Sequence, residues 1–133
     1  MGICLRNKEF EMDMGYGSFF NLRCTIANLL NKDFGDNYHN LSRCIKKEDF
    51  EKNDEIANHF IEYYSLDTDI VDFLYAPDSE GKINYKVCKK IYDIIKDYND
   101  DYMYGYVHAN HTFEYFKNMI HDCATKRRTL YWS

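Results

Sequence analysis

Gly2-Ile3-Cys4-Leu5-Arg6-Asn7-Lys8-Glu9-Phe10-Glu11-Met12-Asp13-Met14 is the stretch on which the fold turns. Ile3 and Leu5 alternate with polar neighbours on one side of it, and Phe10, Met12 and Met14 do so on the other. Arg6-Asn7-Lys8-Glu9 supplies a polar reversal between them, so residues 2–14 read as a β-hairpin. The period then changes. Gly15-Tyr16-Gly17 breaks the strand, and Ser18 is the expected N-cap of a helix running to about Asn31, with Phe19, Leu22, Ile26, Leu29 and Leu30 on one face.

The clearest helix lies further along. Asn84 is its expected cap, and Val87, Cys88, Ile91, Ile94, Ile95 and Tyr98 form an apolar stripe with lysines and aspartates turned away. Asn99-Asp100-Asp101 ends it. Between Asp33 and Ser65 the periodicity weakens. Tyr38, Leu41, Cys44 and Ile45 suggest one short helix, and Phe50, Ala57, Phe60, Ile61 and Tyr64 suggest another within 48–64. The charged run from Lys46 to Glu55 reads as a solvated surface. Asp69 to Tyr75 is an apolar turn or short helix closed by Ala76-Pro77. Asn110 or Thr112 opens a last helix carrying Phe113, Phe116, Ile120 and Cys123, with Lys126, Arg127 and Arg128 at the end its dipole favours. Thr129-Leu130-Tyr131-Trp132 is β-prone and is expected to add a strand beside the hairpin or to cover the core. The expected class is α+β: a small antiparallel sheet packed against four or five helices, in a single domain over 1–133.

Composition bounds the function. The 133 residues are 45% hydrophobic and 29% charged, the balance of a globular chain. Seventeen Lys and Arg against 22 Asp and Glu give a net charge of −5, which argues against a protein that coats nucleic acid but leaves room for a local basic pocket. No run approaches the ~18 apolar residues of a membrane span. The opening MGICLR lacks the apolar core of a signal peptide, and Arg6 stands where an acylation signal wants Ser or Thr, so a cytoplasmic protein is expected. Cys4, Cys24, Cys44, Cys88 and Cys123 are widely spread, odd in number and without a C-x-x-C pair. Reduced, mostly buried thiols are expected, with no disulfide and no zinc. Thirteen Tyr, nine Phe and abundant Asn, Lys and Ile point to an AT-rich coding sequence, so part of the aromatic excess reflects codon bias.

Four segments invite chemistry. Asp78-Ser79-Glu80-Gly81-Lys82-Ile83 resembles the middle of a calcium-binding loop, but Ala76 and Val87 stand where its first and last acids belong, so a glycine turn into a capped helix is the expectation. Gly15, Tyr16, Gly17 and Ser18 ahead of a helix form an anion cradle in principle, with Arg23 one turn further as its cation. A plain strand-to-helix turn accounts for the same residues. His108, His111 and His121 are better read as surface or capping residues than as metal ligands. Tyr102, Tyr104, Tyr106 and Trp132 suit a stacking platform, although part of that set belongs to the core. Tyr75 and Asp78 flank the Pro-punctuated loop. The expected ligand pocket therefore comprises Gly15, Tyr16, Gly17, Ser18, Arg23, Tyr75, Asp78, Tyr104 and Tyr106, with no catalytic residue, metal or cofactor.

Met14-Gly15-Tyr16-Gly17-Ser18-Phe19-Phe20-Asn21-Leu22-Arg23 and the stretch Asp78 to Lys89, of the form D-x-[DE]-G-x-[IL]-x-x-x-x-C-K, together resemble a family of small proteins of Gram-positive bacteria and their phages. Members often carry Ser-Asp-Cys-Asp-Gly where this chain has Pro77-Asp78-Ser79-Glu80-Gly81, a departure that weakens a metal reading further. The resemblance implies a phage or low-GC bacterial origin and brings no activity with it. The function expected is that of a phage accessory or counter-defence protein, located in the host cytoplasm, that sequesters a nucleotide-derived immune signal without catalysis. A protein–protein inhibitor of a host defence effector, with an acidic, Tyr-bearing surface of anti-CRISPR type, is the alternative. A small hydrolase of a signalling nucleotide is a further one. The partners expected are a small nucleotide-type ligand or a defence protein, not extended nucleic acid or membrane, and self-association is left open.

Overall fold

A computed structural model of the chain describes residues 2–42, 50–98 and 112–133. Within them the order is β1 (Gly2–Arg6), β2 (Glu11–Gly15), α1 (Tyr16–Leu30), α2 (Lys32–Ser42), α3 (Phe50–Tyr64), α4 (Thr68–Tyr75), β3 (Gly81–Ile83), α5 (Tyr85–Ile95), α6 (Thr112–Lys126) and β4 (Leu130–Trp132). The chain is α+β, with a four-stranded antiparallel sheet ordered β2-β1-β4-β3. Among the described residues, no helix is long and apolar enough to cross a membrane.

The hairpin forms where alternation predicts it, with Ile3 opposite Met14 and Leu5 opposite Met12. Asn7 shapes the reversal, its Oδ1 accepting from the backbone N–H groups of Glu9 and Phe10. The C-terminal strand pairs with β1 as well, placing Leu130 and Trp132 in the core at the centre of the sheet. Its other neighbour, β3, has no counterpart in the sequence reading. Three residues are too few for alternation to stand out, and Gly81 lacks a side chain because the Trp132 ring lies where its Cβ would be. The calcium-loop look-alike is thus a turn leading into a strand, and Asn84 then caps α5 by accepting from Lys86 and Val87.

Two expectations about α1 are corrected. The helix begins at Tyr16, not after Ser18, and its N-cap is Gly15, with no side-chain capping bond. Strand β2 continues through Gly15, whose φ of −68° and ψ of 159° carry the chain straight into the helix. Gly17 and Ser18 therefore sit in the first helical turn, and no Gly-x-Gly loop exists there. Helix α5 stops at Ile95, short of the expected Tyr98, and Asp69–Tyr75 is a helix, α4, capped by Asp67.

The helices cover one sheet face. Phe19, Leu22 and Ile26 of α1, Ile91 and Ile95 of α5, and Phe116, Met119 and Ile120 of α6 bury fully against Leu5, Leu130 and Trp132. Gly35 lets α2 press onto Asn28 of α1. Cys24, Cys88 and Cys123 are buried free thiols, and Cys4 is half-buried. Cys44, the charged run at 46–49, the Asn99–Asp101 terminator, Tyr102, Tyr104, Tyr106, His108, Asn110 and His111 lie outside the described residues.

Candidate functional site

Two of the predicted pocket residues, Arg23 and Asp78, meet in space, in a setting of their own. Arg23 turns inward, not to the exposed residues at the start of α1. Its Nη1 donates to the Ala76 carbonyl at 2.8 Å and to Asp78 Oδ1 at 3.0 Å. Its guanidinium carbon lies 4.0 Å from the centre of the Phe19 ring, with Phe73 and Trp132 also within cation–π reach. Tyr38 donates to the Leu74 carbonyl at 2.6 Å, and Trp132 Nε1 donates to the Pro77 carbonyl at 3.0 Å. Three buried donors, from α1, α2 and β4, thus hold the carbonyls of Leu74, Ala76 and Pro77 from below. The end of α4 would otherwise leave carbonyls unsatisfied.

Burial pulls the Arg23 pKa down, and the neighbouring Tyr38 and Asp78 work against that pull. Burial pushes the hydroxyls of Tyr38 and Tyr75 well above the usual tyrosine value. Arg23 Nε and Nη2 and the Tyr75 hydroxyl have no hydrogen-bond partner among the described residues, and all three atoms are shut off from solvent. This cluster fixes a turn. Its arginine is committed internally and presents no nitrogen to an outside anion. Gly15 and Gly17 are exposed, and Tyr16 and Ser18 half-buried. Tyr104 and Tyr106 lie outside the described residues.

The outer face of the sheet carries a different arrangement. Strand alternation turns Gly2, Cys4 and Arg6 away from the core, because Ile3 and Leu5 point into it. Pairing then extends each of them into a row. Arg6 lies opposite Glu11 on one side and Tyr131 on the other, and Tyr131 lies opposite Lys82. The first row is therefore Glu11, Arg6, Tyr131, Lys82, with the Tyr131 ring 44% exposed between two cations. Cys4 pairs with Asp13 and exchanges backbone hydrogen bonds with Ser133, which makes the second row. Gly2 opposite Gly15 is the third.

Two grooves adjoin these rows. One, of about 410 Å³, is lined by Arg6, Asn7, Lys8, Arg128, Thr129 and Tyr131. The other, of about 600 Å³, runs over Gly2, Cys4, Asp13, Gly15 and Ser133. Arg128 is bound to Glu9 and Asp122, so Arg6 and Lys8 are the cations the first groove offers to a ligand. Burial and the Glu11 carboxylate, 3.4 Å from Sγ, raise the Cys4 pKa and keep that thiol protonated. Sequence reasoning missed this face because it depends on how β1, β4 and β3 are ordered. The parity of Gly2, Cys4 and Arg6 was its one local signal.

No family model, curated protein or solved structure matches this chain. Among the described residues, no three of His, Cys, Asp or Glu are placed to hold a metal ion.

Proposed function

We propose that the protein is a non-catalytic binding protein that sequesters a small nucleotide-derived signal, a counter-defence role consistent with its resemblance to phage proteins. The row Arg6–Tyr131–Lys82 carries this reading. A nucleotide needs a stacking face and an anion cradle together, and this row supplies an exposed ring with a cation on either side. Lys8 extends the cradle along the adjoining groove. The overall charge of −5 and the acids Glu11 and Asp13 on the same face favour a small ligand over a polymer, whose many phosphates they would repel.

Titration calorimetry with AMP and ADP tests the reading. Binding should be seen with the wild type, weaken about 10-fold or more in Tyr131→Ala and in Arg6→Ala, and return the nucleotide chemically unchanged when the complex is denatured. Absence of binding by the wild type would remove the reading.

A second reading has its own observation. Between Asp54 and Tyr75 the chain carries Asp54, Glu55, Glu62, Asp67, Asp69 and Asp72 and neither Lys nor Arg. Asp54 and Asp69 lie close enough to Asp72 to raise its pKa beyond the effect of burial. Tyr63 stands 71% exposed on the same pair of helices. An inhibitor that docks on the basic, nucleic-acid-binding surface of a defence protein would present such a face. Salt-sensitive capture of a host effector that is lost on Asp54→Lys, Asp72→Lys double substitution is its test.

A further inference from the structure

We propose that the ligand of the outer sheet face is a nucleoside diphosphate joined to a sugar, the base and diphosphate lying on the Arg6–Tyr131 row and the sugar over the Asp13–Cys4–Ser133 row. The proposal rests on the nucleotide-binding reading above and adds the second half of the ligand.

The two grooves are neighbours with Arg6 at their junction. Arg6 lines the basic groove, and its Nη1 donates to the Ser133 hydroxyl at 2.7 Å, while Ser133 lines the other groove. An anion held by Arg6 therefore sits where one groove passes into the next. Adjacent rows are two strand residues apart, about 7 Å, so a group leaving the phosphates in that direction arrives over Asp13, Cys4 and Ser133.

Chemistry there is opposite in sign. Asp13 is exposed, and Glu11 flanks it on the same strand face, so a second anionic group is repelled. A carboxylate with two acceptor oxygens instead matches a pair of neighbouring hydroxyls, the vicinal diol of a ribose or other sugar. The Ser133 hydroxyl adds a donor and acceptor beside it. Beyond Asp13 the floor is bare backbone. Gly2 faces Gly15, so neither position carries a side chain over that end; a Cβ on Gly2 would strike the Met14 carbonyl oxygen, and the space over Gly15 is open. A flat floor with hydroxyl partners at its edge suits a sugar ring and leaves nothing for a second base to stack on. Together the grooves give a site with a basic, aromatic end and an acidic, hydroxyl-binding end.

Calorimetry at one salt concentration compares ADP with ADP-ribose on the wild-type chain and on Asp13→Asn. ADP-ribose should bind at least 10-fold more tightly than ADP to the wild type, and Asp13→Asn should abolish that gain while leaving ADP affinity within about twofold. Asp13 is exposed on an edge strand, and unchanged circular dichroism verifies that the variant folds. ADP binding with no advantage for ADP-ribose, or an advantage that survives Asp13→Asn, overturns the proposal and leaves nucleotide binding standing. A wild type that binds neither compound overturns both. A single-stranded oligonucleotide bound more tightly than ADP-ribose overturns the proposal in favour of a polymer.

Discussion

Arg23 and Asp78, 55 positions apart in the chain, form a 3.0 Å ion pair in which the arginine side chain is 3% exposed and the aspartate 42%. The charge is buried on one side only. Removing a guanidinium from water is costly, and it is tolerated when acceptors and ring faces replace the lost hydration. Ala76, Asp78 and the cage of Phe19, Phe73 and Trp132 do that here.

Arg23 is therefore expected to govern stability, not ligand binding. Arg23→Ala removes the tie to Ala76 and Asp78 and opens a void among three rings. It should lower unfolding free energy by about 3 kcal/mol, with the nucleotide affinity of the folded fraction unchanged. Urea unfolding followed by the fluorescence of Trp132, the sole tryptophan, measures this. A variant of native stability that had lost its nucleotide would return Arg23 to the binding site.

Asp122 sets the acid limit of the fold. Burial acts to raise its pKa, but hydrogen bonds from Lys126 and Asn7 and the charges of Arg128 and Lys126 outweigh this and hold it below the usual carboxylate range. Its side chain is 7% exposed, and it joins the end of α6 to the hairpin through Asn7, 2.9 Å away. With the folded value below the unfolded value of about 4, the contribution is fully present above pH 4 and is lost as pH falls through the folded value. Asp122→Asn should cost about 2 kcal/mol at pH 7 and flatten the stability profile below pH 4. Urea midpoints of both proteins from pH 7 to pH 2 would expose an error, which would take the form of parallel profiles.

The hairpin, the α5 stripe and the inward side of β4 were legible because each follows from local alternation of the kind carried by Ile3 and Leu5, or by Cys88, Ile91 and Ile95. Asn84 and Asp67 behave as caps for equally local reasons. The start of α1 differs from the local expectation because Ser18 is a good capping residue and Gly15 a good breaker, yet β2 stays paired through Gly15 and runs directly into the helix. Strand β3 was invisible since its pairing with β4 joins residues nearly 50 positions apart. The same long-range order sets Arg6, Tyr131 and Lys82 side by side, so no window of sequence contains that row. Arg23 pairs with Asp78 and the Ala76 carbonyl, an arrangement that depends on the turn at Ala76–Asp78 and that no local window of sequence contains.

Gly81 is a packing requirement of the sheet. A Cβ there would enter the indole of Trp132, and the ring cannot retreat because its Nε1 is tied to Pro77 and its faces meet Phe19 and Phe73. Gly81→Ala should destabilise by about 2 kcal/mol, in the range for overpacking, and shift Trp132 emission to longer wavelength as the indole is displaced. Unchanged emission and stability would show that β3 moves aside freely.

Tyr131 and Trp132 are consecutive residues of β4 on opposite faces of the sheet, and this separates binding from folding within one strand. Trp132 is 1% exposed amid the core, so Trp132→Ala should cost about 3–5 kcal/mol of stability. Tyr131 rests on the outer face with Arg6 and Lys82 as neighbours, and truncating it leaves no internal cavity. Tyr131→Ala should change unfolding free energy by no more than about 1 kcal/mol, the scale of a cross-strand pair. The same substitution should weaken ADP binding by about 1.5–3 kcal/mol, within the range for one base stacked on an aromatic ring. Tyr131→Phe, which keeps the ring and loses only the hydroxyl, should bind nearly as the wild type does. Paired urea melts and calorimetry on these variants distinguish the cases. Loss of binding in Tyr131→Phe would make the hydroxyl, not the stacking face, the recognised feature, and a large stability loss in Tyr131→Ala would mean the outer face is packed against something in the folded chain.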